Sequence, residues 1–180
     1  MAKGYDRGRR RDHGSTLRGA VVVAFFVITA NASAVAGPPM RLSGMTFVAS
    51  RESVTDLRVE ADSAVIDDTT NKAHLETVQA EWAGSDGASS LELTCERGEL
   101  DLETNDLIAS GNVHGVLADG RRFNGPSLRY DRGRGVAYTD APVEIIEAGR
   151  ILSGGGFEYR IRDRRLRLTA GARVEEDNKP

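Results

Sequence analysis

Three histidines, one cysteine and several neighbouring carboxylates are the residues from which this chain could build an active site. His13, His74 and His114 stand far apart, with no second ligand at a metal-binding spacing such as i, i+4, so no metal centre is expected. Asp67-Asp68, Glu99 with Asp101, and Glu175-Glu176 fall at turn edges or on the polar face of alternating strands. Solvation accounts for them better than the acid and base of a glycosidase. Ser43-Gly44 and Ser153-Gly154 sit in no Gly-x-Ser-x-Gly elbow and have no triad partners. The glycine run at 153–156 lacks the lysine and the following helix of a phosphate loop. Glycine inside strands instead marks a bulge or a close backbone approach. Arg129, Arg132 and Arg134 around Asp131 form a basic patch in a hairpin turn, solvent-facing by default, with an anionic partner as the alternative. Cys95, alone, excludes an internal disulfide and reads as a buried small hydrophobe. No catalytic group, metal or cofactor is expected, and the chain does not read as an enzyme.

What remains is an apolar face. Leu93, Leu100, Leu102, Leu107, Val113, Val116, Phe123, Leu128, Tyr130, Val136, Tyr138, Val143, Ile145, Phe157, Tyr159, Ile161, Leu166 and Leu168 would line the inside of a folded-over sheet. That face is either an ordinary sandwich core or, if the two halves close incompletely, a groove for a long-chain lipid. The groove candidates are Leu93, Leu100, Leu102, Val113, Phe123, Leu128, Tyr130, Tyr138, Val143, Ile145, Phe157 and Tyr159. Leu166, Leu168 and Val174 belong to an expected terminal strand over 166–174, whose free edge could pair with a partner.

The elements that must position these side chains are strands. Over 93–116, apolar residues alternate with period two, apart from a one-residue slip before Gly98, and a polar turn at 103–106 folds the run back on itself. The same hairpin recurs around turns at 68–72, 132–135 and 162–165. Matching Ala61, Cys95, Gly125 and Gly154 gives steps of 34, 30 and 29 residues, the mark of a stacked architecture. After Pro39 no window carries a helical period. About 14 strands are expected, in an all-β, elongated domain.

The 180 residues suffice for one domain and an appendage. Residues 1–18 hold six basic against two acidic side chains, +4. The remainder holds 18 basic against 25 acidic, −7, so the domain itself is not a nucleic-acid binder. After this basic segment, residues 19–36 are apolar and form a transmembrane anchor or a signal sequence cleaved near Ala36. Residues 37–41, with Gly37-Pro38-Pro39, read as a linker, 42–176 as the β-domain and 177–180 as a tail. Everything after residue 37 is exported.

The repeated hairpin with Asp67, Asp101 and Asp131 before its turns, Gly111-Asn112-Val113, Pro142-Val143, the glycine run from Leu152 and the closing Leu166-Arg167-Leu168 together resemble the LptC family of lipopolysaccharide-export proteins, within the OstA/LptA-like jellyrolls. The resemblance covers 42–176. It implies an all-β, elongated and twisted antiparallel β-jellyroll, placed in the periplasm on a single-pass inner-membrane helix. Such a domain accepts lipopolysaccharide from an inner-membrane ATP-binding-cassette exporter and passes it to a periplasmic bridge protein for outer-membrane assembly. Cleavage of the helix would give a soluble, LptA-like bridge protein, and an envelope scaffold of β-repeats is a further alternative.

Overall fold

The computed structural model describes residues 39–51 and 54–176, all within the unit Val35–Pro180. The basic segment, the apolar helix and the C-terminal tail expected from sequence lie outside the described residues. Twelve strands follow in order: β1 (Met40–Arg51), β2 (Val54–Asp67), β3 (Lys72–Ala83), β4 (Ser89–Asp101), β5 (Leu107–Leu117), β6 (Arg122–Asp131), β7 (Val136–Thr139), β8 (Val143–Glu147), β9 (Arg150–Gly154), β10 (Gly156–Arg160), β11 (Arg165–Thr169) and β12 (Arg173–Glu176). The count is 12 rather than 14 because 107–117 and 122–131 each run unbroken through a bend where sequence suggested a break. The expected linker is shorter, since β1 starts at Met40.

Hairpin turns follow from a repeated carboxylate. Asp67 Oδ1 accepts the Thr69 amide at 2.9 Å, Asp101 Oδ1 accepts Glu103 and Thr104 amides at 2.9 and 2.8 Å, and Asp131 Oδ1 accepts the Arg134 amide at 2.9 Å. Such Asx turns substitute a side chain for a missing backbone acceptor. The Thr69 hydroxyl and amide hold the Asp67 carboxyl below the ordinary carboxylate range, and the Thr104 amide does the same for Asp101.

Strands β1 to β6 form an antiparallel meander that is crossed by a line of disrupted pairing. Pairing is interrupted, with the register unchanged, at Gly44 opposite Asp62, at Asp62 opposite Thr77 and at Thr77 opposite Glu96, and the line continues as register shifts between Thr94 and Arg97 and between Ser110 and Val113, through Gly111-Asn112 to Pro126. Along this line the buried residues change parity. Leu57, Val59 and Ala61 give way to Ala64. Ala73 and Leu75 give way to Val78, Ala80 and Trp82. Leu91, Leu93 and Cys95 give way to Gly98 and Leu100. Gly44, Thr77, Gly111 and Asn112 take positive φ on this line (74°, 54°, 77° and 45°). β5, with two left-handed residues in succession, returns to its original parity and buries Ala109 and Val113.

Beyond β6 the sheet forks. Arg129–Asp131 pair with β7, which leads to β10 and β11, while Arg122–Asn124 pair with β8, which leads to β9 and β12. The expected strand over 166–174 is therefore two strands on different branches, separated by Ala170 and Gly171 at φ 56° and 65°. Within the first branch, where β10 pairs with β7, backbones come close: a Cβ on Gly156 would stand 2.3 Å from the Thr139 carbonyl oxygen. This agrees with reading the glycine run as a close backbone approach.

Thr77 is the only β-branched residue among the described positive-φ positions. An L-residue there costs about 1–2 kcal/mol, against about 0.5–1 kcal/mol of extra chain entropy for glycine. Thr77→Gly should raise stability in denaturant titration by up to about 1 kcal/mol. A loss would mean that the threonine side chain, and not the seam, sets this conformation.

Candidate functional site: the inner apolar face and its closure

The inner face begins with residues that alternation made legible. Leu93, Leu100, Val113, Phe123, Leu128, Val143, Ile145, Phe157 and Tyr159 are each at most 2% exposed, and Tyr130 is 5% exposed. Leu102, in the β4–β5 turn, packs against this cluster while partly exposed. Tyr138 does not join them. Its cross-strand partners are Arg129 and Glu158, and the Arg134 guanidinium lies 5.7 Å from its ring centroid, which puts it on the outer face. The physical reason is that Ala137 and Thr139 carry the inward parity of β7. Val116 is likewise outward and exposed, because Gly115 and Leu117 take the inward positions.

The opposite wall of the face was missed from sequence. Leu57, Val59, Leu75, Ala80, Trp82 and Leu91 are all buried. Trp82 stacks edge-on against Tyr130 at 5.2 Å, as Phe123 does against Phe157 at 5.0 Å. The signal was present in the spacing of Val78, Ala80 and Trp82, but the slip at Thr77 hid its continuity with Ala73 and Leu75. The Trp82 indole N–H is buried with no acceptor among the described residues.

Where the two layers meet, closure is polar. Ser90 Oγ donates to the Ile161 carbonyl at 2.7 Å, and the Tyr159 hydroxyl donates to the Ser90 carbonyl at 3.0 Å. Arg132 Nη2 donates to the Ser50 carbonyl at 2.9 Å and to Asp56 Oδ1 at 3.0 Å, and Arg51 Nη2 donates to the Arg132 carbonyl at 3.0 Å. Arg164 pairs with Asp86 at 2.8 Å. These bonds join the tip of the β6–β7 hairpin to the end of β1 and the start of β2, and the β10–β11 hairpin to the β3–β4 loop and the start of β4. The Tyr130 hydroxyl, at this closure, is pushed up to about 12 by burial and then by the Asp56 carboxylate.

At the rim of the face, Leu42, Met45 and Phe47 on β1, Ile66 on β2, Leu152 on β9, and Leu166 and Leu168 on β11 are packed on the core but partly exposed. β1 ends one side of the sheet, while β11 and β12 end its two branches, so Leu166 and Leu168 lie on one free edge and Val174, 60% exposed, on another. A depression of about 550 Å³ spans β1 to β5 and is lined by charged side chains (Arg41, Glu76, Arg97 and Glu99) and His74 together with Leu42, Val65, Leu75 and Ile108. Among the described residues no cluster of His, Cys, Asp and Glu could hold a metal ion. Cys95 is buried, and burial pushes its thiol up.

The family model described as "Lipopolysaccharide-assembly, LptC-related" matches residues 42–177. A crystal structure of LptH, the LptA-homologous periplasmic component of the lipopolysaccharide transport device of Pseudomonas aeruginosa, is similar in fold. Its TM-score is 0.52 at 17% identity, over 69% of this chain and 95% of that one. No curated protein matches the chain.

Tyr159→Phe removes one of two donors to the buried Ser90 carbonyl, which keeps the Ala118 amide at 2.9 Å, and should cost about 0.5–1.5 kcal/mol in denaturant unfolding. Tyr138→Phe, on the outer face, should change stability by less than about 0.5 kcal/mol. Equal effects from the two would mean that the polar closure contributes nothing.

Proposed function

The chain belongs to the LptC-related family of lipopolysaccharide-assembly proteins, and from that premise we propose that its β-domain is a lipid-binding relay. Membership gives it a role in lipopolysaccharide transport in the periplasm, with a domain that faces that compartment, and a transport role rather than an enzymatic one. In the proposed relay the domain accepts lipopolysaccharide from an inner-membrane ATP-binding-cassette exporter. It is held near the exporter by the apolar segment at 19–36, and it passes the lipid to an LptA-like bridge protein docked on a free sheet edge, that of Leu166 and Leu168 or that of Val174.

The observation that carries this reading is one continuous apolar face, shared by β2 to β10, whose rim of partly exposed leucine, methionine and phenylalanine lies largely on edge strands. Acyl chains lifted from a membrane expose surface worth about 0.8 kcal/mol per methylene, so a chain of about a dozen carbons needs about 10 kcal/mol of cover. The candidates Leu93, Leu100, Val113, Phe123, Leu128, Val143, Ile145 and Phe157 supply it once the layers part. Since they are almost fully buried against one another, the acyl chain replaces contacts between layers rather than filling an open channel. Energy for that exchange comes from the exporter.

A photo-reactive amino acid at Val113, Leu128 or Phe157 should form lipopolysaccharide adducts that depend on the exporter's ATP hydrolysis, whereas Asn112, Arg129 and Tyr138 on the outer face should not. Adducts confined to the outer positions, or none in a folded domain, would mean that the face is a sealed core and the relay is wrong.

A further inference from the structure

Two hairpin tips and the end of β1 gather arginines at one corner of the domain. A depression of about 460 Å³ there is lined by Arg51, Arg134, Arg160 and Arg162 against Glu158 and Asp163, a side-chain balance of +2. This stands out on a chain whose residues after 18 balance at −7. Carboxylates at the corner are shared: Glu158 faces both Arg134 and Arg160 at 3.7 Å, and Asp56 faces Arg132 at 3.0 Å and Arg51 at 3.5 Å. Glu158 and Asp56 therefore each answer two guanidiniums, and the Glu158 contacts are longer than the roughly 2.7–2.9 Å of a charge-assisted hydrogen bond. Arg162 has no ion-pair partner among the described residues. A second depression of about 210 Å³ shares Arg51, Gly135 and Arg162 with the first and reaches Tyr130, whose ring packs on Trp82 in the core.

We propose that this corner binds the phosphate group of a lipid headgroup whose acyl chains occupy the inner face. The inference rests on the relay function above. Guanidinium presents a planar fork of donors that matches phosphate oxygens and stays charged throughout the physiological pH range. A phosphate monoester carries about −1.5 to −2 charges near neutral pH, which meets the uncompensated +2 of the lining. Tyr130 joins the two environments, with its hydroxyl side at the polar depression and its ring against Trp82. An amphiphile seated across that residue would have its anionic and apolar parts each in a matching place.

The test uses the full chain in detergent, with phosphorylated lipopolysaccharide and the same material enzymatically dephosphorylated, and the double variant Arg160→Gln/Arg162→Gln. Both arginines are exposed and outside the hydrogen bonds that close the layers, so the variant should fold. Wild type should bind the phosphorylated form about tenfold more tightly, with a steep salt dependence, and the variant should show a preference of less than about threefold. Equal binding of the two forms by wild type, or an undiminished preference in the variant, overturns the proposal. If neither form binds without the exporter, photo-crosslinking in its presence judges the relay, and inorganic phosphate judges the corner by itself. A rise in the unfolding midpoint of wild type but not of the variant, in about 10 mM phosphate against chloride of equal ionic strength, supports a phosphate site. The same midpoint in both salts overturns it.

Discussion

A strand with strict alternation can bury only one parity, yet β1 to β4 and β6 each bury opposite parities at their two ends. The change happens at one level in all of them, from Gly44 through Asp62, Thr77 and Glu96 to Pro126. If a single strand lost its slip, half of its apolar residues would turn to water, and its neighbours would face the gap. This alignment is the constraint on which the rest of the structure depends. It keeps one apolar side on a sheet whose strands are too long and too twisted to stay flat against a single partner layer. The left-handed residues at Gly44, Thr77, Gly111 and Asn112 are the local cost of holding it.

The interior obtained this way is closed by two kinds of contact with different strengths. Apolar contacts between layers are numerous and non-directional, and an acyl chain of similar cross-section can replace them with little net loss. Hydrogen bonds of Ser90, Tyr159, Arg132 and Arg51 are directional, and a hydrocarbon cannot replace them. They hold the layers together along one corner while the rim on the edge strands carries no comparable polar bonds among its apolar members. In the proposed relay the layers would therefore part at the rim, with the corner as the fixed side of the closure.

Much of this was legible in the residues. Asp67, Asp101 and Asp131 marked the hairpin turns because an Asx turn needs a carboxylate at that place, and the alternation of Leu100, Leu107 and Leu128 marked the inward face. The slip before Gly98 was visible in β4, but its alignment across neighbouring strands was not, since register is a property of pairs. The fork at β6 was hidden for the same reason: nothing in Arg122–Asp131 announces that its two ends take different partners. Tyr138 was misplaced because strict alternation from Val136 points it inward, whereas Val136 and Ala137 are both buried. Trp82 was overlooked because the seam at Thr77 interrupts its strand.

The same physics explains why a chain with so little identity to a solved jellyroll still shares its fold. An inner face that asks only for apolar residues at alternating positions accepts Leu, Val, Ile, Phe or Tyr at nearly every site, so identity there drifts while volume and patterning are kept. Positions that cannot drift are of another kind: residues able to take left-handed backbone at the seam, acceptors that cap hairpins, and Gly156, where a side chain would strike the Thr139 carbonyl. They are few, small and polar, and they contribute little to pairwise identity. The recognisable part of such a sequence is thus its punctuation, and the proposed relay depends on the face which that punctuation keeps turned inward.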